Sequence, residues 1–180
     1  MKCDYFIDQL RKQVEDNGYT VIPNAFELEK LDEIESQLEY LLKYHIKKNN
    51  HDYIQNSELD LANFLYHISP ESFGEIYDHM GYSDIFINLL SSTIFKISRK
   101  ILDIPTEVPL YFVQNRILMQ LPNNDERLSD WHQETFYTIP YSQNFLQCWF
   151  PLFCDSSPEN GSIYICPGSH KEGIAKSKIY

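Results

Sequence analysis

Leu110-Tyr111-Phe112-Val113-Gln114-Asn115-Arg116-Ile117-Leu118-Met119-Gln120-Leu121, a polar stretch from Asn123 to Ser129, and then Trp131-His132-Gln133-Glu134 form the passage from which the rest of the chain is read. The first run is rich in residues that favour strands. The second carries a histidine and a glutamate two positions apart. On an extended strand such residues project from one face, so the His132 imidazole and the Glu134 carboxylate would point into one cavity. Together they would supply two legs of a 2-His-1-carboxylate facial triad, the site type that holds non-haem Fe(II) and leaves positions open for O₂ and a co-substrate. Taken alone, the triplet reads better as a half-buried ion pair or hydrogen-bonded pair on a sheet face; its neighbours reverse that reading.

Working outward, the passage is followed by further strand-like runs at Trp131 to Thr138, Phe145 to Phe153 and Ser162 to Cys166. Turn chemistry at Pro140-Tyr141-Ser142 and at Ser156 to Gly161 separates them. Upstream the periodicity is helical. Cys3 to Asp16 places Phe6, Ile7, Leu10 and Val14 on one stripe, with Asn17-Gly18 as its stop. Tyr19 to Ile22 is a short β-favouring run closed by Pro23, and Asn24 is placed to cap a helix from Glu27 to about Lys47. Leu28, Leu31, Ile34, Leu38, Leu41, Leu42 and His45 form the apolar face of that helix. Lys47 to Asn56 reads as a loop. Leu59 to Ile68 and Ser83 to Leu102 read as further helices, with Pro70, Gly74 and Gly81 as breaks. Helices followed by strands predict an α+β domain, helical over 1–105 and β-rich over 106–180.

Composition bounds the partners. A chain of 180 residues suffices for one domain, and a core of that size buries about 70% of the unfolded surface. The formal net charge of -11 argues against nucleic acid or an anionic membrane as a partner. Met1-Lys2-Cys3-Asp4-Tyr5 has no apolar signal region, and no apolar run nears the roughly 18 residues that span a bilayer; a soluble, cytoplasmic protein is expected. Of the four cysteines, none are in C-x-x-C spacing; Cys148, Cys154 and Cys166 lie in apolar runs and are expected as buried core thiols.

Three further strings complete a pattern: Trp131-His132-Gln133-Glu134-Thr135-Phe136-Tyr137, Asn144 to Leu152, and Asn160-Gly161-Ser162 with Pro167-Gly168-Ser169-His170-Lys171. With the opening Asn17-Gly18-Tyr19-Thr20-Val21-Ile22-Pro23-Asn24-Ala25-Phe26, the sequence resembles the phytanoyl-CoA dioxygenase family from near residue 10 to about residue 174. The resemblance implies an Fe(II)/2-oxoglutarate-dependent oxygenase with helices packed on a double-stranded β-helix (jelly-roll, cupin-like) core. It implies His132 and Glu134 as iron ligands, Gln133 and Trp149 as residues holding and lining the 2-oxoglutarate pocket, and Ile117 as an apolar contact to the same co-substrate. Glu134 stands where aspartate is commoner, keeping the ligand type while lengthening its reach; a small residue there would have implied a halogenase. A histidine ligand also needs a partner for its second ring nitrogen, and the chain around Asp130, Gln133 or Tyr137 is where it is expected.

The resemblance also implies a second histidine ligand and a co-substrate-binding arginine on strands beyond the Pro-Gly-Ser-His turn, and the sequence given ends at Tyr180. His45, His51, His67 and His79 all lie in the helical portion; His170 is expected to serve the turn itself; Arg116 and Lys171 are the nearest basic candidates. The chain thus reads as the first two thirds of such a domain, with an incomplete jelly-roll: a fragment, a remnant without activity, or a variant completed by another subunit. The leading function is hydroxylation of a small organic substrate with O₂. Its alternatives are a non-catalytic binding module of the same fold and a cupin-type site for zinc or manganese. Phe136, Tyr137, Tyr111 and Phe112 are candidates for an apolar pocket or for ordinary core.

Overall fold

Ile34, Leu38, Leu42 and Ile46 recur every four residues along α2 (Leu28–Lys48), and all four are fully buried. That spacing stacks them on one helical face. The structure, a computed structural model, describes residues 2–53, 58–112, 115–121, 130–134 and 145–174, with side chains from Phe6 and, past the first gap, from Asp60. Around the α2 stripe pack α3 (Glu58–Ile68), α4 (Pro70–His79) and α5 (Asp84–Leu89), which bring Leu61, Ala62, Leu65, Phe73, Ile76, Phe86 and Leu89 into one apolar cluster. α1 (Lys2–Asn17) lies instead against α6 (Phe95–Ile101), where the Arg11 guanidinium donates to the Lys100 carbonyl at 2.7 Å and to Asp103 at 2.9 Å.

Local chemistry sets the helix boundaries. Gly18, at φ +82°, ends α1 in the left-handed conformation that L side chains resist. Pro70 opens α4 rather than breaking a helix: its missing N–H falls in the first turn, and the Ser69 side chain accepts from the Ser72 amide. Gly74, expected as a break, lies inside α4. Asn24 does not cap α2; it takes a left-handed turn at φ 52°, and Glu27 stands at the cap position without a side-chain bond. The expected helix over Ser83 to Leu102 is present but contains a π-helical turn, Leu90–Ile94, between α5 and α6. There the Ser91 and Ser92 hydroxyls donate to the Asn88 and Leu89 carbonyls at 3.1 and 3.0 Å, offering the backbone an alternative to the regular ladder.

The α+β expectation is overturned. Among the described residues of 106–180 there is no strand, and the jelly-roll core is not seen. The expected runs at Leu110 to Leu121, Trp131 to Thr138, Phe145 to Phe153 and Ser162 to Cys166 are irregular backbone where described; Asn123 to Ser129 and 135–144, with Phe136 and Tyr137, lie outside the described residues. The physical reason is where the polar backbone and apolar side chains are satisfied. A strand exists only through a neighbour that takes its N–H and C=O groups. Here the Asn115 amide donates to the Tyr82 hydroxyl at 3.2 Å, its side-chain amide to the Gly81 carbonyl, and the Phe153 amide to the Glu35 carboxylate at 2.7 Å. Ile117 and Leu121 enter the helical cluster, and Phe150 packs between Phe26 and Phe86 with ring centroids 4.5 and 6.1 Å away. The apolar, β-favouring composition of these runs is thus spent on helix faces, because β-propensity measures fit to a neighbouring surface more than a backbone preference.

The thiols are corrected as well. Cys148, Cys154 and Cys166 are free and exposed, not core residues. No helix among the described residues is long and apolar enough to cross a membrane.

His45 is the polar exception inside the α2 stripe. Its Nδ1 is buried with no hydrogen-bond partner and faces the Glu75 carboxylate at 3.8 Å. Burial depresses its pKa below the ordinary 6.5, Glu75 opposes the shift and Lys48 reinforces it. The unfolded chain therefore takes up this proton more readily than the folded one, so the stability His45 contributes is present above about pH 6.5 and lost as pH falls below it. The urea midpoint should drop between pH 7.5 and 5.5, and drop less in His45→Gln; equal drops would refute the assignment. Phe73, with no exposed surface, gives the packing test. Phe73→Ala should cost about 3–5 kcal/mol in denaturant titrations, whereas Val21→Ala, at an exposed position, should stay within about 0.5 kcal/mol.

Candidate functional site

Asp130-Trp131-His132-Gln133-Glu134 is a short described segment, and within it the structure brings the two expected ligands together. His132 Nε2 lies 3.5 Å from Glu134 Oε1, and the two side chains are 30% and 25% exposed. The other ring nitrogen, Nδ1, is 2.6 Å from the Asp130 carbonyl. A carbonyl oxygen only accepts, so Nδ1 carries the hydrogen, and in the neutral ring the Nε2 lone pair is turned toward Glu134. An imidazole lone pair and a carboxylate oxygen facing each other repel. The arrangement is favourable when positive charge joins them, either a second proton on the ring or a cation held by both. The Nδ1–H to carbonyl bond is the outer-shell device that fixes a metal-binding histidine in the correct tautomer and orientation. Of the places where sequence expects that partner, Asp130 provides one, through its backbone rather than its carboxylate, and Tyr137 lies outside the described residues.

Gln133 points elsewhere. Its side-chain amide donates to the Gly173 carbonyl at 3.0 Å. Gly173 follows the 3-10 turn Ser169–Glu172, which is itself tied to the end of α1. The Gly168 amide donates to the Asn17 carbonyl at 2.8 Å, and His170 Nε2 donates to the Glu15 carbonyl at 3.0 Å. His170 is therefore structural, as the sequence suggests, but it does not serve its own turn: it bridges 155 residues to a helix terminus with carbonyls left to satisfy. Sequence reading missed this contact. The signal available was the pair of glycines at its two sides, Gly18 and Gly168, both in left-handed backbone.

The remaining candidates are spread out. Ile117 is 6% exposed and packed in the helical cluster. Trp149 is 39% exposed. Arg116 pairs with Asp78 at 3.5 Å, a carboxylate on the surface of α4, and Lys171 is exposed. Tyr111 is exposed, while Phe112 stacks on Phe95 with centroids 4.5 Å apart. Although Cys148 is exposed as a residue, desolvation at its sulfur raises the thiol pKa, and the Ser98 hydroxyl 3.8 Å away draws it back. No group of three His, Cys, Asp or Glu side chains able to hold a metal ion occurs among the described residues. His132 and Glu134 thus fit two positions of a ligand set, with a second-nitrogen anchor already made.

Residues 14–178 match the family model described as phytanoyl-CoA dioxygenase (PhyH). The match covers nearly the whole chain, and the chain belongs to this family. Its members generally depend on Fe(II) and 2-oxoglutarate and act on small molecules with O₂. No curated protein and no solved structure matches the sequence.

Proposed function

We propose that this chain is an Fe(II)/2-oxoglutarate-dependent oxygenase domain that hydroxylates a small organic substrate, with His132 and Glu134 as iron ligands. The reading is carried by one observation: in a chain of this family, the His132 imidazole and the Glu134 carboxylate converge to 3.5 Å while the second ring nitrogen is anchored to a backbone carbonyl. When bound, iron with its keto-acid co-substrate supplies O₂ activation and attack on a C–H bond. The chain's own part is orientation. The Asp130 carbonyl holds the His132 ring with Nε2 presented toward Glu134, and Glu134 brings the negative charge that offsets a divalent cation. Trp149, partly exposed, is proposed to supply apolar surface to the co-substrate, as its position in the family pattern implies; Ile117 and Gln133, to which the same pattern points, are engaged instead by the helical cluster and the Gly173 carbonyl. Glu134 in place of aspartate keeps a carboxylate ligand, and so supports hydroxylation over halogenation.

Anaerobic titration with Fe(II) and 2-oxoglutarate tests this. The wild-type chain should develop a weak visible charge-transfer band and, on admission of air, release succinate. His132→Ala and Glu134→Ala should each weaken Fe(II) binding by more than about 100-fold, since outer-shell partners alone are worth about 10–100-fold. Both side chains are partly exposed, so circular dichroism should be unchanged. Undiminished iron binding in His132→Ala would refute the assignment, and iron binding without succinate would favour a binding module over an oxygenase.

A further inference from the structure

A continuous set of hydrogen bonds runs from the end of α1 to the middle of the candidate site. It begins at the Asn17 and Glu15 carbonyls, which accept from the Gly168 amide at 2.8 Å and from His170 Nε2 at 3.0 Å. It passes through the 3-10 turn Ser169–Glu172, closed by the Lys171 amide donating to the Gly168 carbonyl at 3.0 Å. It leaves that turn at the Gly173 carbonyl, which accepts from the Gln133 side chain at 3.0 Å. Gln133 is the residue between His132 and Glu134. We infer that His170 is a positioning residue for the His132–Glu134 pair, acting through the 168–173 turn and Gln133.

Three physical points support this. First, the Gln133 side chain is a directed bond from the 130–134 segment to the turn, made by the residue that lies between the two members of the pair. Second, the Glu15 carbonyl lies in the last turn of α1, where helical partners run out, so it is free to accept from the His170 ring. Third, the fit is close on the other side of the ring. Any Cβ at position 18 would come 2.5 Å from His170 Nδ1, so the glycine that ends α1 also makes room for the imidazole. The two glycine-containing turns, Asn17-Gly18 and Pro167-Gly168, therefore form one device, in which the later turn donates both hydrogen bonds and the helix end accepts them. The importance of this device for iron binding rests on the function proposed above; its effect on the His132 ring does not.

The experiment therefore has two readouts on the full chain. The first is the long-range ¹H–¹⁵N spectrum of the histidine rings without metal; the second is Fe(II) affinity under anaerobic conditions. In wild type, His132 should show the Nδ1-protonated tautomer fixed by the Asp130 carbonyl. His170→Ala should shift His132 toward a tautomer average and weaken Fe(II) binding about tenfold, the lower end of an outer-shell effect. His170→Gln, whose side-chain N–H can reach the same carbonyl, should restore both. Gly18→Ala should reproduce the His170→Ala spectrum. Gln133→Leu cuts only the last link and should move the His132 signals while leaving the α1 contact intact, which keeps the test open should His170→Ala fail to fold. A His170 that merely stabilises the fold would lower the melting temperature and leave the His132 ring signals unchanged in every variant; that result overturns the inference. Wild-type chain that binds no Fe(II), with His132 still responding to His170, would sink the proposed function and leave the positioning role standing. Iron binding by wild type with no response to any of these variants would do the reverse.

Discussion

The apolar stripe of α2 leaves water only because α3, α4 and α5 close over it, and much of the described structure packs against that closure. Each fully buried Ile or Leu of the stripe contributes roughly 1.5–3 kcal/mol of transfer free energy. Ile34, Leu38, Leu42 and Ile46 lie on one line, so the partner helices must lie along it too. Ile117, Leu121 and Phe150 then fill the remaining apolar surface, and with them the second half of the chain is laid onto the helices by side-chain packing. Backbone amides that a sheet would have paired, those of Asn115 and Phe153, are instead met by Tyr82 and Glu35.

This arrangement explains the character of the site. Among the described residues His132 and Glu134 lie on no strand, and directed bonds contribute to their geometry. Asp130 fixes the ring and Gln133 ties the segment to the turn that grips α1. Metal sites of this type require their ligands to be oriented before the cation arrives, because each wrongly presented lone pair costs affinity.

Much of the helical half is legible in the residue order, because helical periodicity is local: Leu38 and Leu42 announce a shared face without reference to anything distant. Pro70 misleads for a local reason as well, since the same residue that breaks a helix interior starts a helix when a serine precedes it. The second half resists such reading. Whether Leu110 to Leu121 becomes a strand depends on which neighbour takes its backbone groups, and that neighbour is hundreds of atoms away in the chain. The exposure of Cys148, Cys154 and Cys166 follows from the same error, since their apolar surroundings imply burial only if the runs pair into a sheet. At the site, the histidine–carboxylate pair is visible as residues two apart, a spacing that brings them together on irregular backbone as it would on a strand. The Glu15–His170 contact is not visible in this way, because it joins residues from opposite ends of the sequence.

The claim at the centre of this account is that one imidazole and one carboxylate share a ferrous ion. X-ray absorption at the iron edge tests it most directly, on untagged chain loaded anaerobically with Fe(II) and 2-oxoglutarate. The expected spectrum has a nitrogen and oxygen first shell with the outer-shell scattering of a bound imidazole, and that scattering disappears when His132 is replaced. A spectrum of iron surrounded by oxygen alone, or imidazole scattering that persists without His132, would contradict it.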